Sequence, residues 1–426
     1  MRLVVVGIVL GASALAGLVL GLSLWPSGED GSQATSSSET RSSLSRQASR
    51  ARFFFGFSSD DFKYEPAAAV PAGLELGAEA ARVTLLWSPG QTTLAASDAA
   101  AFDSLVETGR DLRIVVAVYA ASNESAPVDE VAREQYCSYV RSLLRRYPSI
   151  NDVVIWNEPN KQFFWKPQYD LDGGSASPAV YGALLARCWD LLHALRPEVN
   201  VIAPATSPKG NDKPFARSNV SHSPGSFIRK LGEAYRASGR ARPLFDTVGH
   251  HSYGLSAAEP PSKDHPGSTI SQGDYRELIE ALRDAFTGTA QPLPGECRAD
   301  RCVAIWYLEA GYQTRIDEAK AALYTGSETD AHAVSDLLDG ETAGPAPAGD
   351  VLALDQSTQI ADGVRLAFCQ PYVGAFFNFM LWDEPDLRGW QSGPFWVDRT
   401  PKDSFPAFER VIAQAKTGAI DCEIDD

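Results

Sequence analysis

The segment Leu112-Arg-Ile-Val-Val-Ala-Val-Tyr119 is apolar at every position from Ile114 to Val118. A strand with one face in water alternates apolar and polar residues, whereas a continuous run marks a strand covered on both faces, as in parallel sheets flanked by helices. Outward from this segment, short β-branched or aromatic runs recur at 53–58, 82–87, 152–156, 199–203, 247–253, 304–309 and 375–382. With 112–119 they make eight. Between them lie amphipathic stretches, of which 130–147 and 179–195 show the helical three-to-four spacing most clearly. Eight strand–helix repeats fit an α/β fold closed into a (β/α)8 TIM barrel better than an open doubly wound sheet. No Gly-x-Gly-x-x-Gly follows the first strand, which weakens a dinucleotide-binding reading. A bare barrel needs about 250 residues, so the surplus falls in long βα loops at 161–178, 255–273 and 315–350. All three follow strand C-termini, the catalytic face of such barrels.

The chain has 426 residues, 44% hydrophobic and 22% charged, an ordinary globular composition. Its net charge of −16 argues against nucleic acid, whose binding depends on cations displacing phosphate counterions. An acidic surface suits a soluble enzyme acting outside the cell on neutral polymers. After Met1-Arg2, residues 3–25 carry no charge and approach the roughly 20 residues of a membrane-spanning helix. Residues 1–26 are therefore either an uncleaved anchor, which would tether the protein to a membrane, or a signal peptide cleaved at a site such as Ala14-Leu15-Ala16. Both export the remainder to the cell surface or beyond. Residues 27–51, rich in Ser, Thr, Gln and Arg, read as a linker, and 52–426 as one folded domain, expected to be monomeric. Six cysteines in an exported chain invite pairing, and 137–188, 297–302 and 369–422 is the expected set among 15 connectivities; the alternative is that some are buried thiols. No Cys/His cluster has zinc-like spacing.

The candidate chemistry sits at two strand ends. Ile155-Trp-Asn-Glu-Pro159 places Glu158 at the C-terminal end of the fourth strand, and Ile305-Trp-Tyr-Leu-Glu-Ala-Gly311 places Glu309 at the end of the seventh. Strands four and seven face one another across a barrel. Two carboxyl groups across a cleft are what glycoside hydrolysis needs: one protonates the leaving oxygen and the other attacks the sugar or activates water. That chemistry needs neither metal nor cofactor.

Asn157-Glu158-Pro159 on strand four, with Glu309 on strand seven, resembles the pattern of glycoside hydrolase clan A, families 5 and 39 in particular. The resemblance spans the barrel from about residue 53 to the end of strand eight. It implies that Glu158 is the general acid/base and Glu309 the nucleophile of a retaining enzyme. It further implies that Asn157 holds the substrate 2-hydroxyl and that Tyr253 of His251-Ser-Tyr253 hydrogen-bonds the nucleophile. His251 belongs to the same element. Arg82, matching the strand-two arginine, would steady the nucleophile's charge, and Trp382 would form the floor under the sugar. Two departures stand out: strand three lacks a His or Asn-rich ending, and Arg82 opens its strand instead of closing it. Among the other aromatics, Trp87 and Trp165 are taken with Trp382 as sugar platforms. His250, pointing the other way on an alternating strand, receives no role. The charge of Glu309 is expected to raise the pKa of Glu158.

Two rival readings compete with an oligo- or polysaccharide hydrolase. A non-hydrolytic carbohydrate-binding barrel would keep the aromatics but has no need of both carboxylates. A metal-dependent barrel hydrolase, prompted by His250-His251, needs a His-x-His on strand one that 53–58 lacks. Transglycosylation by the same glutamates stays open, as do sugar and linkage. The long loops favour a cleft for internal cutting of a polymer.

Overall fold

The computed structural model describes residues 53–256, 259–298, 301–327 and 355–422, together with the backbone of 334–335. The expected leader at 1–26, the linker at 27–51 and most of the loop at 315–350 lie outside the described residues. Among the described residues no helix is long and apolar enough to cross a membrane.

Eight parallel strands close into a barrel: β1 (Phe54–Ser58), β2 (Ala80–Leu86), β3 (Arg113–Tyr119), β4 (Asp152–Ile155), β5 (Asn200–Thr206), β6 (Thr247–His251), β7 (Ile305–Ala310) and β8 (Val373–Phe379). Each pairs with its neighbours in sequence, and β1 closes on β8. The principal helix after each strand is, in order, α1 (Pro66–Glu75), α2 (Ala96–Thr108), α3 (Glu130–Arg146), α4 (Ser177–His193), α5 (Pro224–Ala237), α6 (Tyr275–Phe286), α7 (Gln356–Cys369) and α8 (Phe405–Thr417). This is the (β/α)8 architecture expected from the alternation, and every expected strand is present with its ends moved by a few residues.

Strand alternation sorts the apolar residues into two cores. Phe54, Ala80, Val115, Val154, Ile202, Trp306, Leu308 and Phe377 fill the barrel interior, while the opposite faces pack against the helices. Gly56 has to be glycine in this packing, because a Cβ there would stand 2.7 Å from the Phe377 ring and 2.8 Å from the Ala80 carbonyl oxygen. The barrel floor carries a paired charge. Arg113 makes two hydrogen bonds of 2.7 Å to Asp152 and lies over the Phe54 and Trp306 rings. The disulfides are Cys137–Cys188, joining α3 to α4, Cys297–Cys302 within one hairpin, and Cys369–Cys422. That is the expected set, and among the described residues no cysteine is free.

Candidate active site

The stagger of strands in a closed barrel decides where Arg82 stands. Arg82 lies level with Ser58, the last residue of β1, and with Val115 in mid-β3. It shares the inward face of β2 with Ala80, so an arginine near the start of its own strand still reaches the barrel mouth. Its side chain is 3% exposed. It donates to Glu309 Oε1 at 2.7 Å, Ser58 Oγ at 2.7 Å and Asn157 Oδ1 at 3.0 Å.

Glu309 reaches that cation because β7 is irregular. His250 pairs with Tyr307 but His251 pairs with Glu309, and on the other side Phe376 pairs with Tyr307 but Asn378 with Ala310. The extra residue lets two successive side chains serve the interior: Leu308 fills the core and Glu309 enters the mouth above it. A bulge re-aims side chains in this way. Tyr253, just past β6, donates its hydroxyl to Glu309 Oε2 at 3.2 Å. Burial, then Glu309 and Glu158, push the Tyr253 hydroxyl well above its ordinary pKa, so it stays a donor.

Glu158 is placed by a different device. Trp156 has φ +69° and Glu158 φ +40°, both left-handed for residues with a Cβ. Conformations of this kind cost about 1–3 kcal/mol each and gather at functional sites. The first turns Trp156 away from the interior that alternation would assign it, into the helix-side core against Tyr136 and Trp165. Asn157 and Glu158 then face the mouth, fixed by the Glu158 N–H donating to the Ala205 carbonyl at 3.1 Å. Asn157 is 5% exposed.

His251 Nδ1 joins the two acids. It lies 2.9 Å from Glu158 Oε1 and 3.3 Å from Glu309 Oε2. One nitrogen at those distances limits the separation of the two oxygens to their sum, about 6.2 Å. The other ring nitrogen, Nε2, is buried without a partner. Burial pushes the Glu158 carboxyl up, but the hydrogen bond and charge of His251, the charge of Lys161 and a hydrogen bond from Ser207 outweigh it. The net direction is downward, which corrects the expected upward shift: His251, set between the two acids, with Lys161 and Ser207 beside Glu158, outweighs burial. His250, as alternation requires, points elsewhere, to Thr206 Oγ1 at 2.9 Å and the Ile270 carbonyl at 2.8 Å.

The aromatic platforms need correction. Trp87 is 1% exposed, edge-on to Tyr136, with its N–H given to the Gln91 carbonyl. Trp165 is fully buried between Trp156 and Tyr181. Neither has a face to offer a sugar. Trp382 is 7% exposed, and the Arg399 guanidinium covers its ring at 4.3 Å. A half-buried aromatic beside the cleft is Trp390, whose ring lies 4.7 Å from that of Tyr253 and 5.2 Å from that of Phe379. Sequence position could not single it out, because it stands on the loop after β8 and is brought over Tyr253 by that loop's fold. Ser58, Lys161 and Ser207 were also missed; each is an ordinary polar residue until the barrel closes.

Among the described residues, Asp264, Asp274 and Glu277 converge closely enough to hold a cation. They lie on the loop and helix after β6, and Asp274 already accepts from His265 and Ser271.

No family model matches the chain, and no curated protein does. Solved structures share its fold at low identity. A family 39 glycoside hydrolase from the gut symbiont Bacteroides cellulosilyticus WH2 superposes with TM-score 0.54 and 15% identity, covering 85% of this chain. This chain spans 64% of that protein's length. A monomeric β-xylosidase from Caulobacter crescentus CB15 gives TM-score 0.51 and 15% identity over 87% of this chain and 70% of the other. A GH5_18 protein from Streptomyces cattleya, solved in complex with GlcNAc, gives 0.53 and 15% over 87% and 82%. The architecture of this chain is thus the barrel found in solved structures of glycoside hydrolase families 39 and 5.

Proposed function

We propose that the protein is a retaining O-glycoside hydrolase acting on an oligo- or polysaccharide, with Glu309 as nucleophile and Glu158 as general acid/base. The observation that carries this reading is the convergence of the two carboxylates on His251 Nδ1 from opposite sides of the barrel. Their oxygens stand no more than about 6.2 Å apart, below the roughly 6.5–9.5 Å that leaves room for a water in inverting enzymes.

The surroundings divide the roles. Glu309, held in the barrel mouth by Arg82 and Tyr253, attacks the anomeric carbon. Glu158 delivers its proton to the departing oxygen as that bond breaks. Water then attacks the glycosyl–Glu309 ester while Glu158 takes the water's proton, which restores both groups. The unused amide nitrogen of Asn157 would donate to the sugar 2-hydroxyl, and Trp390 would stack on the ring bound at Glu309. The three disulfides support export to an oxidising compartment, and the uncharged run 3–25 supplies a signal or tether for it. The enzyme is taken to act as a monomer.

The test is hydrolysis of aryl β-glycosides and of β-glucans, mannan, xylan, arabinan and galactan by the wild type and by Glu309→Gln and Glu158→Gln. The wild type turns over one class with retained anomeric configuration, and Glu309→Gln folds normally but is inactive. Normal turnover by Glu309→Gln, or an inverted product, rejects the proposal.

A further inference from the structure

The two flanks of the cleft differ in charge. Around Glu309 the cation is Arg82, and its charge is already engaged by Glu309. Around Glu158 stand two half-buried lysines. Lys161 follows Glu158 by three residues, in a turn closed by its own N–H on the Glu158 carbonyl at 2.9 Å. Lys166, Lys230, Lys320 and Lys402 all pair with carboxylates, but the Lys161 ammonium makes no hydrogen bond or ion pair among the described residues. Lys209 comes from the loop after β5, two residues beyond Ser207, which hydrogen-bonds the Glu158 carboxyl. Its ammonium donates to the Leu255 carbonyl at 3.1 Å.

These loops are not free to separate. Asn160 accepts from the Ser207 N–H at 2.9 Å and donates to its carbonyl at 3.2 Å, and Lys161 bridges to Ser221. These ties bring the two lysine-bearing loops together, the charge of Lys161 bears on Lys209, and burial lowers the pKa of both. The anions that face them are Glu158 and, for Lys209, Glu259, which is itself engaged by His265 Nε2 at 3.1 Å and the Leu255 N–H at 2.8 Å. Two neighbouring ammonium groups, one without a partner, are costly to hold half out of water unless an anion joins them.

We propose that Lys161 and Lys209 form a cationic subsite on the leaving-group side of Glu158, which takes a sugar carrying a carboxylate or a sulfate ester. The proposal rests on the glycosidase reading for its place in the reaction, since the leaving group departs past the residue that protonates it. Its ligand chemistry rests on the lysines alone. A chain with net charge −16 repels anionic polymers at long range, so the subsite acts at contact and its effect weakens with salt.

The experiment compares aryl glycosides of the accepted sugar whose leaving groups are 4-carboxyphenol, 4-sulfophenol and neutral 4-carbamoylphenol. Taking each kcat/KM ratio relative to wild type cancels the intrinsic reactivity of the phenols. In Lys161→Gln and Lys209→Gln the anionic-to-neutral preference falls about tenfold, the scale of one lost charge-assisted hydrogen bond. The carboxylate and sulfonate arms show which anion the site prefers. If the lysines serve only to tune Glu158, the variants shift the pH profile on the neutral substrate and leave the preference unchanged, which overturns the proposal. Calorimetric binding of glucuronate and glucose 6-sulfate to the wild type and the double variant supplies a readout without turnover. Binding lost in the double variant supports the subsite even where no glycoside is hydrolysed. Absence of binding to the wild type rejects it even where hydrolysis proceeds.

Discussion

Lys402 and Asp383 form an ion pair of 2.8 Å with both side chains fully buried. Lys402 also donates to Thr314 Oγ1 and the Gln391 carbonyl, both at 3.0 Å, while Asp383 accepts from the Tyr324 hydroxyl at 2.8 Å. Replacing Lys402 by Met keeps the volume and leaves Asp383 buried opposite an apolar group. Removing one member of a buried pair costs about 3–5 kcal/mol. Unfolding entropy of about 2.1 cal/mol/K per residue, over the roughly 340 described residues, gives about 0.7 kcal/mol/K, so the melting temperature falls by about 4–7 °C. The loss depends on pH with a definite sign. Burial already holds the Asp383 carboxyl above its ordinary value in spite of Lys402, and without that cation it rises further. A carboxyl protonated more readily in the folded state destabilises as pH climbs past its unfolded value. The deficit of Lys402→Met against wild type is therefore larger at pH 7.5 than at pH 4.5, where a neutral Asp383 tolerates its surroundings. Equilibrium urea unfolding at the two pH values measures it. A deficit equal at both, or below about 1 kcal/mol at pH 7.5, the range of an exposed pair, would refute the argument.

Tyr253→Phe removes a hydrogen bond to the charged Glu309, worth about 1.5–3 kcal/mol, so kcat/KM on aryl glycosides falls roughly 10- to 100-fold with the melting temperature little changed; a fall below twofold excludes the role. His251→Asn withdraws the charge and, at Nδ1, the donor that lower the Glu158 pKa. The alkaline limb of kcat/KM, set by deprotonation of the acid, consequently moves to higher pH, and a limb that stays or moves down contradicts the assignment. Trp390→Ala exposes Tyr253 and removes the proposed platform; KM rises more than kcat falls, and the reverse pattern places Trp390 outside the sugar site. Removing Cys137–Cys188, with 51 residues of separation, costs about 4 kcal/mol on the chain-entropy account, whereas Cys297–Cys302, with five, costs about 2; urea denaturation ranks the two, and the opposite order rejects the loop-length explanation.

The barrel was legible because its signal is periodic. A run such as Ile114–Val118 permits few environments, and eight such runs separated by helical spacing leave little choice of topology. The two glutamates were legible for a related reason, since a carboxylate at a strand's C-terminus has the mouth of the barrel before it. What alternation could not provide is the exception to alternation. Leu308 and Glu309 both serve the interior, and Trp156 leaves it, through a bulge and two left-handed residues that no periodic pattern encodes. Arg82 could be placed only from the stagger between neighbouring strands, which is a property of closure and not of β2. The aromatic platforms failed on burial: Trp87 and Trp165 share the composition of a sugar site but are consumed by packing, and Trp390 reaches the cleft through a loop whose course depends on contacts distant in sequence, such as the Thr314 N–H donating to the Gln391 carbonyl at 3.2 Å.

The polar shell also bears on how one pair of identical side chains can divide two tasks. Arg82 and the Tyr253 hydroxyl both act on Glu309 from fixed, buried positions, one permanently charged and the other held neutral far above its ordinary pKa. Such donors hold the two Glu309 oxygens in place. Glu158 instead meets His251, Lys161 and Ser207. His251 lies within reach of both carboxylates, so in the proposed mechanism charge that leaves Glu309 on forming the glycosyl ester weakens that nitrogen's second contact and strengthens its hold on Glu158. This favours the Glu158 anion at the step where a base is required. Coupling through one shared nitrogen thus links consumption of the nucleophile to the change in role of its partner, and the pH limbs of the two steps should respond together when His251 is replaced.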